Sequence, residues 1–223
     1  MKKTLLILSI MTLFFAGCKK DDMFEKGDMG VVNGHVWVDL GLPSGTKWAT
    51  CNVGANRPEE YGDYYAWGET TTKSDYSYSN CPTYGLSYSE LKSQGYIDGN
   101  GNLTPQYDAA TANWGGNWRM PTYDELNELR TNCTWTWTTR NGDEGYNVEG
   151  PNGNSIFLPA AGIRAESTFT LAGRYGYYLG STPREYYSDH AYYYAYYLYF
   201  YSDDCNMSSH PRCDGRSVRP VLE

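Results

Sequence analysis

The sequence predicts an α+β domain of short antiparallel strands, two helices and long loops. Several short segments alternate apolar and polar residues with the period of a half-buried strand. Two other segments carry helix-start signals, a Pro in a first turn and a Thr–Glu capping box. The composition agrees, since 24 Gly and 23 Tyr in 223 residues and a mean hydropathy of −0.63 describe a chain rich in turns and short strands.

The first residues stand apart from that domain. Lys2 and Lys3 precede an apolar run over residues 5–15. The run is shorter than the roughly 20 residues of a membrane span and reads as a secretory signal. Its junction, Phe15-Ala16-Gly17-Cys18, resembles a bacterial lipobox, which implies a signal peptide over 1–17 and lipidation at Cys18. Each buried CH₂ of an acyl chain contributes about 0.8 kcal/mol, so several chains anchor firmly. Lys19-Lys20-Asp21-Asp22 resembles the signal that carries Bacteroidota-type lipoproteins to the exterior of the outer membrane. Residues 18–30 read as a tether with little to pack, and residues 31–223 as one domain with a single core. The expected location is the outer membrane, lipid-anchored and facing the cell exterior. A net charge of −8 argues against nucleic acid as a partner and leaves the lipid anchor as the membrane contact.

Along the domain, residues 34–40 and 46–53 alternate apolar and polar around the turn at Gly41-Leu42-Pro43-Ser44-Gly45, a strand–turn–strand entry. Residues 63–67 read as a further strand. Ser87 and Glu90 form a capping-box pattern for one helical turn. A helix is expected over 104–113, with Pro105 in its first turn, and a second over 122–131, opened by Thr122 and Glu125. Trp135-Thr136-Trp137 reads as a strand with core-facing rings. Pro151-Asn152-Gly153-Asn154 lies between strands expected at 146–149 and 155–158, a hairpin signal. Strands are also expected at 177–180, 195–201 and 217–222.

Five motifs then occur in order. They are Val38-Asp39-Leu40-Gly41-Leu42-Pro43-Ser44-Gly45, Trp48-Ala49-Thr50-Cys51-Asn52-Val53-Gly54-Ala55, the run Tyr61-Gly62-Asp63-Tyr64-Tyr65-Ala66-Trp67-Gly68-Glu69, Trp114-Gly115-Gly116-Asn117-Trp118-Arg119-Met120-Pro121-Thr122, and Leu158-Pro159-Ala160-Ala161-Gly162. Together they resemble the Fibrobacter succinogenes major paralogous domain, and the match runs from about Gly34 to the C-terminus. The resemblance implies a C-type-lectin-like fold, distantly related to that of the formylglycine-generating enzyme. A fold of this kind does not by itself imply sugar binding.

Residues 186–222 contain no Lys, Glu, Gln or Trp and one Met, Met207. Met207 apart, every residue there is reachable from an Asn codon AAY by changing adenines. This segment resembles the variable proteins of diversity-generating retroelements, in which a C-type-lectin-like domain displays variable residues on one ligand-binding face. The chemistry agrees, because Tyr supplies rigid amphipathic contact area while Ser, Asn and Asp supply adaptable hydrogen bonds, as in antibody paratopes. In a strand, Tyr197, Tyr199 and Tyr201 share one face while Leu198 and Phe200 point into the core. The expected contact residues are Tyr186, Tyr187, Asp189, His190, Tyr197, Tyr199, Tyr201, Asp203, Asp204, Ser208, His210, Cys213 and Asp214. Arg216 and Arg219 are assigned to the fixed scaffold.

His35, His190 and His210 show no metal-ligand or triad spacing, so neither catalysis nor a metal or other cofactor is expected. Asp98-Gly99-Asn100-Gly101-Asn102 resembles a calcium loop but lacks the closing Glu, and reads as a turn. Besides Cys18 there are five Cys, an odd number, so at least one has no partner within the chain. Cys51 and Cys133 read as small buried hydrophobes, and a bridge between Cys205 and Cys213 is left open. The expected function is ligand binding by a surface receptor or adhesin. Its partner would be a protein or glycan on another cell, a phage or a host. The alternatives are a fixed-specificity carbohydrate-binding module and, more distantly, an enzyme of the formylglycine-generating type.

Overall fold

The computed structural model describes residues 28–185 and 194–223. In chain order, β1 (Met29–Val32), β2 (His35–Asp39) and β3 (Lys47–Ala49) precede the helices α1 (Tyr88–Ser93), α2 (Ala109–Trp114) and α3 (Tyr123–Asn132). Then come β4 (Thr134–Arg140), β5 (Asp143–Glu149), β6 (Ser155–Pro159), β7 (Ile163–Ala165) and β8 (Thr168–Thr170). The chain closes with β9 (Gly176–Pro183), β10 (Tyr194–Tyr201), β11 (Asp204–Pro211) and β12 (Val221–Leu222). The fold class is α+β, as expected, with three α-helices among the described residues rather than two. None of these helices is long and apolar enough to cross a membrane.

Four antiparallel groupings carry the strands: β1-β2-β3-β12, β4-β5-β6, β11-β10-β9 and the hairpin β7-β8. β12 pairs with β3, so the last strand closes the sheet that the first strands open. β1 takes in Met29 and Gly30, which the expected tether over 18–30 included. Two of the hairpins turn on Asn-Gly. Asn33-Gly34 and Asn141-Gly142 all have positive φ, the backbone that matches strand twist across a two-residue turn.

The helix starts follow local chemistry. Ser87 and Thr122 each complete a capping box, with Glu90 and Glu125 respectively. The helix expected over 104–113 is divided. Pro105–Tyr107 forms a tight 3₁₀ turn, and Asp108 then caps α2 by accepting the Thr111 N–H at 2.9 Å. The expected strand over 63–67 reduces to one bridge, Tyr65 to Arg216. The strand expected over 217–222 survives only as β12. Its upstream backbone serves three partners in turn, Leu179 N–H to Ser217 O, Val53 N–H to Val218 O and Ala49 N–H to Pro220 O. A segment threaded between sheets in this way cannot form one continuous ladder.

The core has two main clusters. One gathers Tyr65, Trp67, Trp118, Met120 and Leu179, and the other Trp48, Leu126, Tyr178, Leu198 and Phe200. Trp135 and Trp137 pack half-buried on the second cluster. Close packing there demands a small residue, since a Cβ on Gly176 would come within 2.1 Å of the Phe200 ring. Residues 211–222 are buried throughout, and the guanidiniums of Arg212, Arg216 and Arg219 lie inside. Arg219 donates to Asn52 Oδ1 at 2.8 Å and to the carbonyls of Ala49 (3.1 Å), Thr50 (2.8 Å) and Phe157 (2.9 Å). A buried charge survives only when its hydrogen bonds are made, and these acceptors come from segments 62 to 170 residues away.

Glu125 joins α3 to the β3 side of the molecule. Its carboxylate takes two 2.7 Å bonds from Arg119, one of 2.8 Å from the Thr122 N–H and one of 3.0 Å from Thr46 Oγ1. Burial alone would raise this carboxyl, but the Arg119 and Thr122 donors outweigh it and hold it below the ordinary 4.5. The unfolded chain therefore takes up the proton first as pH falls, and the stabilisation, complete above pH 4.5, is lost through the lower folded value. Glu125→Gln is expected to cost about 2–3 kcal/mol at pH 7. Urea unfolding across pH should show the difference from the parent protein shrinking below about pH 4.

Candidate ligand-binding face

The sheet β11-β10-β9 carries most of the residues expected to bind. From Leu198 to Tyr201 the burial alternates, with Leu198 and Phe200 fully buried and Tyr199 and Tyr201 half-exposed on the opposite face. Alternation is the consequence of strand geometry. β11 has the composition of a loop, Asp, Asn, Ser and His, and is a strand because β10 supplies a full antiparallel ladder. That register sets Tyr201 opposite Asp204, Tyr199 opposite Asn206 and Tyr197 opposite Ser208. On the other side Tyr199 stands opposite Tyr177 of β9. The face is thus a band of Tyr rings edged by short polar side chains. Ring centroids lie 5.4 Å apart for Tyr175 and Tyr201, 5.9 Å for Tyr177 and Tyr197, and 6.2 Å for Tyr197 and Tyr199.

One end of the band opens into a cleft of about 540 Å³. Tyr177 and Tyr197 line it from the sheet, Tyr76 and Tyr78 from the long loop before α1, and Ile163 and Glu166 from the β7-β8 hairpin. His210, Asp214 and Arg216 complete it. His210 Nδ1 is 2.8 Å from Asp214 Oδ2, and Arg216 Nη2 donates to the same oxygen at 2.9 Å. The Arg216 guanidinium lies 4.5 Å from the centre of the Tyr197 ring, a cation–π contact strengthened by desolvation. Burial pulls Arg216 below its ordinary value, opposed by the Asp214 carboxylate, while burial, with Tyr197 beside it, pushes Tyr177 up to about 12. Arg216 Nε has no partner among the described residues. The cleft therefore offers aromatic and apolar walls around one ordered His–Asp–Arg chain, which suits shape-complementary binding with a few directed hydrogen bonds.

The expected contact residues are distributed unevenly. Tyr186, Tyr187, Asp189 and His190 lie outside the described residues, as does Cys18. Asp203 is exposed in the β10–β11 turn, Tyr199, Tyr201, Asp204 and Ser208 lie half-exposed on the face, and His210 is exposed at the cleft. Three are less available. Tyr197 is 7% exposed and Asp214 8%, both committed to Arg216, and Cys213 is fully buried. A buried thiol offers no contact surface, so Cys213 belongs to the interior of the domain. The Cys205–Cys213 bridge is not formed. The described cysteines are free thiols, and Cys205 stands opposite Phe200 while packing on the second core cluster.

Sequence reasoning missed the cleft's outer walls. Tyr76, Tyr78 and the β7-β8 hairpin are remote in sequence from the Tyr-rich segment, and nothing local in them points toward it. Asn206 was also passed over, although its position between Asp204 and Ser208 gave it the same strand parity. Pocket-forming polar groups elsewhere are structural: Asp98 Oδ1 accepts from Asn100 and Asn102 N–H groups, closing its own turn. No group of three or more His, Cys, Asp or Glu able to hold a metal occurs among the described residues. No protein-family model, curated protein or solved structure matches the chain.

The unequal burial of the Tyr rings sets their unequal roles. Tyr197→Ala, which uncovers a buried guanidinium, is expected to cost about 3 kcal/mol. Tyr199→Ala, with its ring half in solvent, is expected to stay within about 1 kcal/mol. The two midpoints in urea unfolding should separate accordingly.

Proposed function

We propose that the protein is a cell-surface lipoprotein that binds a protein or glycan ligand through the Tyr-rich face of β9–β11. We read the domain carrying that face as C-type-lectin-like, similar to the Fibrobacter succinogenes major paralogous domain. One observation carries the reading: among the described residues of the skewed segment, Tyr199, Tyr201, Asp203, Asp204, Asn206, Ser208 and His210 are exposed or half-exposed, and burial takes over from Pro211 onward. A segment that only completed the core would not concentrate Tyr, Asp, Asn and Ser on the open side of a sheet whose central strand is paired on both sides. That mixture gives large contact area at low entropy cost together with adaptable hydrogen bonding. The anchor at Cys18 places this face outside the cell, where ligands on other cells or particles can reach it.

Retroelement diversification fits the same arrangement. The ladder of β10 and β11 is made by backbone groups, so side chains on the open face can change while the register stays. Residues 211–222 have no such freedom, because each is buried.

Deep sequencing of the gene's 3′ end across isolates tests this directly. Substitutions should appear at Tyr199, Tyr201, Asp203, Asp204, Asn206, Ser208 and His210, and stop before Pro211. A uniform sequence would remove diversification and leave a binder of fixed specificity. Binding itself is tested by screening the purified chain against a displayed-peptide library and a glycan array. Affinity for any hit should fall at least about tenfold in the double variant Tyr199→Ala, Asn206→Ala and stay unchanged in Thr138→Ala on β4. Equal affinities in all three proteins would sink the assignment of the face.

A further inference from the structure

Two cysteines far apart in sequence meet behind the cleft. Cys81 follows the 3₁₀ turn Tyr78–Asn80, and Cys213 lies in the segment between β11 and β12. Arg212 clamps the two stretches together. Its Nη1 donates to the carbonyls of Thr83 (3.2 Å) and Leu86 (2.9 Å), while its own carbonyl accepts the Trp67 N–H at 2.8 Å. Within this clamp the Cys81 sulfur lies 3.7 Å from Thr83 Oγ1, which donates to the Trp67 carbonyl at 3.4 Å, and the Trp67 N–H bonds the carbonyl next to Cys213, so the two thiols are neighbours. Cys81 is 8% exposed and Cys213 fully buried, and both are thiols in the structure.

We propose that Cys81 and Cys213 form a disulfide when the protein meets an oxidising compartment, and that this bond fixes the wall of the cleft to its floor. The wall is Tyr76 and Tyr78, a few residues before Cys81, and the floor is His210, Asp214 and Arg216, on either side of Cys213. The in-cell part of the proposal rests on the export reading above, since such bonds persist outside the reducing cytoplasm.

The chemistry is ordinary exchange with an external disulfide. The Cys81 thiolate attacks that disulfide, forms a mixed disulfide and releases one thiol. The Cys213 sulfur then attacks the Cys81 sulfur and releases the second. Two electrons pass from the cysteine pair to the external disulfide, and the two thiol protons end on its reduced halves. The pair is ordered for this sequence. Cys81 is the less buried of the two at 8% exposed, and the neighbouring Cys213 holds it below the ordinary thiol range. The neighbouring Cys81, with burial, pushes Cys213 up, so the two thiols titrate as a pair. More than half of the chain lies between the two positions, so the bond closes a long loop, the case in which a cross-link most restricts the unfolded chain.

Purified full-length protein is incubated with glutathione disulfide, its remaining thiols are alkylated under denaturing conditions, and it is digested without reduction. The expected map contains one peptide joining Cys81 to Cys213, lighter than the two thiol peptides together by two hydrogens, with Cys51, Cys133 and Cys205 alkylated. Reduction with dithiothreitol should lower the melting temperature by roughly 5–15 °C. Cys81→Ser should abolish that dependence on dithiothreitol. Separate alkylation of Cys81 and Cys213 after oxidation, or a peptide joining Cys213 to Cys205, overturns the proposal. The oxidant is supplied in the tube, so this result is independent of export. Export is read separately, from whether Cys18→Ala releases the protein from intact cells.

Discussion

The domain is held by a strap of chain, residues 211–222, that runs buried through its middle with three guanidiniums pointing into carbonyl-rich surroundings. Arg219 satisfies acceptors from the β3 turn and from β6, and Arg212 satisfies those of the 83–86 turn while lying 5.1 Å from the centre of the Trp67 ring. Arg216 answers to Asp214, to the Pro211 carbonyl and to the face of Tyr197. Long loops leave many backbone carbonyls without a ladder partner, and a buried unpaired acceptor is costly. A planar donor fork reaching several carbonyls at once solves this where a strand cannot. The strap is therefore what lets a loop-rich chain satisfy its buried carbonyls.

This constraint also divides the C-terminal region by role. From Tyr194 to His210 the chain is held by strand pairing, which uses backbone atoms and leaves the outward side chains free. From Pro211 onward it is held by side chains, and a change there removes a partner that distant segments need. A face whose side chains are free of the ladder and a fixed frame can sit side by side in one short stretch because the forces holding them differ. Asp214 and Tyr197 mark the seam, since both line the cleft and both are committed to Arg216.

The Cys81–Cys213 pair lies on the frame side of that seam. A covalent link there would add nothing to the β9–β11 face itself and would act on the loop carrying Tyr76 and Tyr78, the part of the cleft with no sheet beneath it. Rigidity of a binding wall matters because ordering a loop on binding costs free energy that a preformed wall does not.

Much of this architecture is written locally. Ser87-x-x-Glu90 and Thr122-x-x-Glu125 announce helix starts because capping is a contact within one turn. The alternation of residues 195–201 announces β10 and the direction of its rings because a strand's sides are fixed by parity. What stayed hidden is non-local. β11 reads as a loop until β10 templates it, residues 217–222 read as a strand until three separate partners claim their backbone, and Cys213 reads as surface until the strap carries it inside. The cleft's far walls, at residues 76–78 and 163–171, are joined to the Tyr-rich segment only by packing, for which no local period exists. Composition and periodicity thus gave the fold class, the helix starts and the open face of β10. Long-range hydrogen bonding and burial, which depend on which segments become neighbours, decided where that face ends, what walls its cleft, and which cysteine meets which.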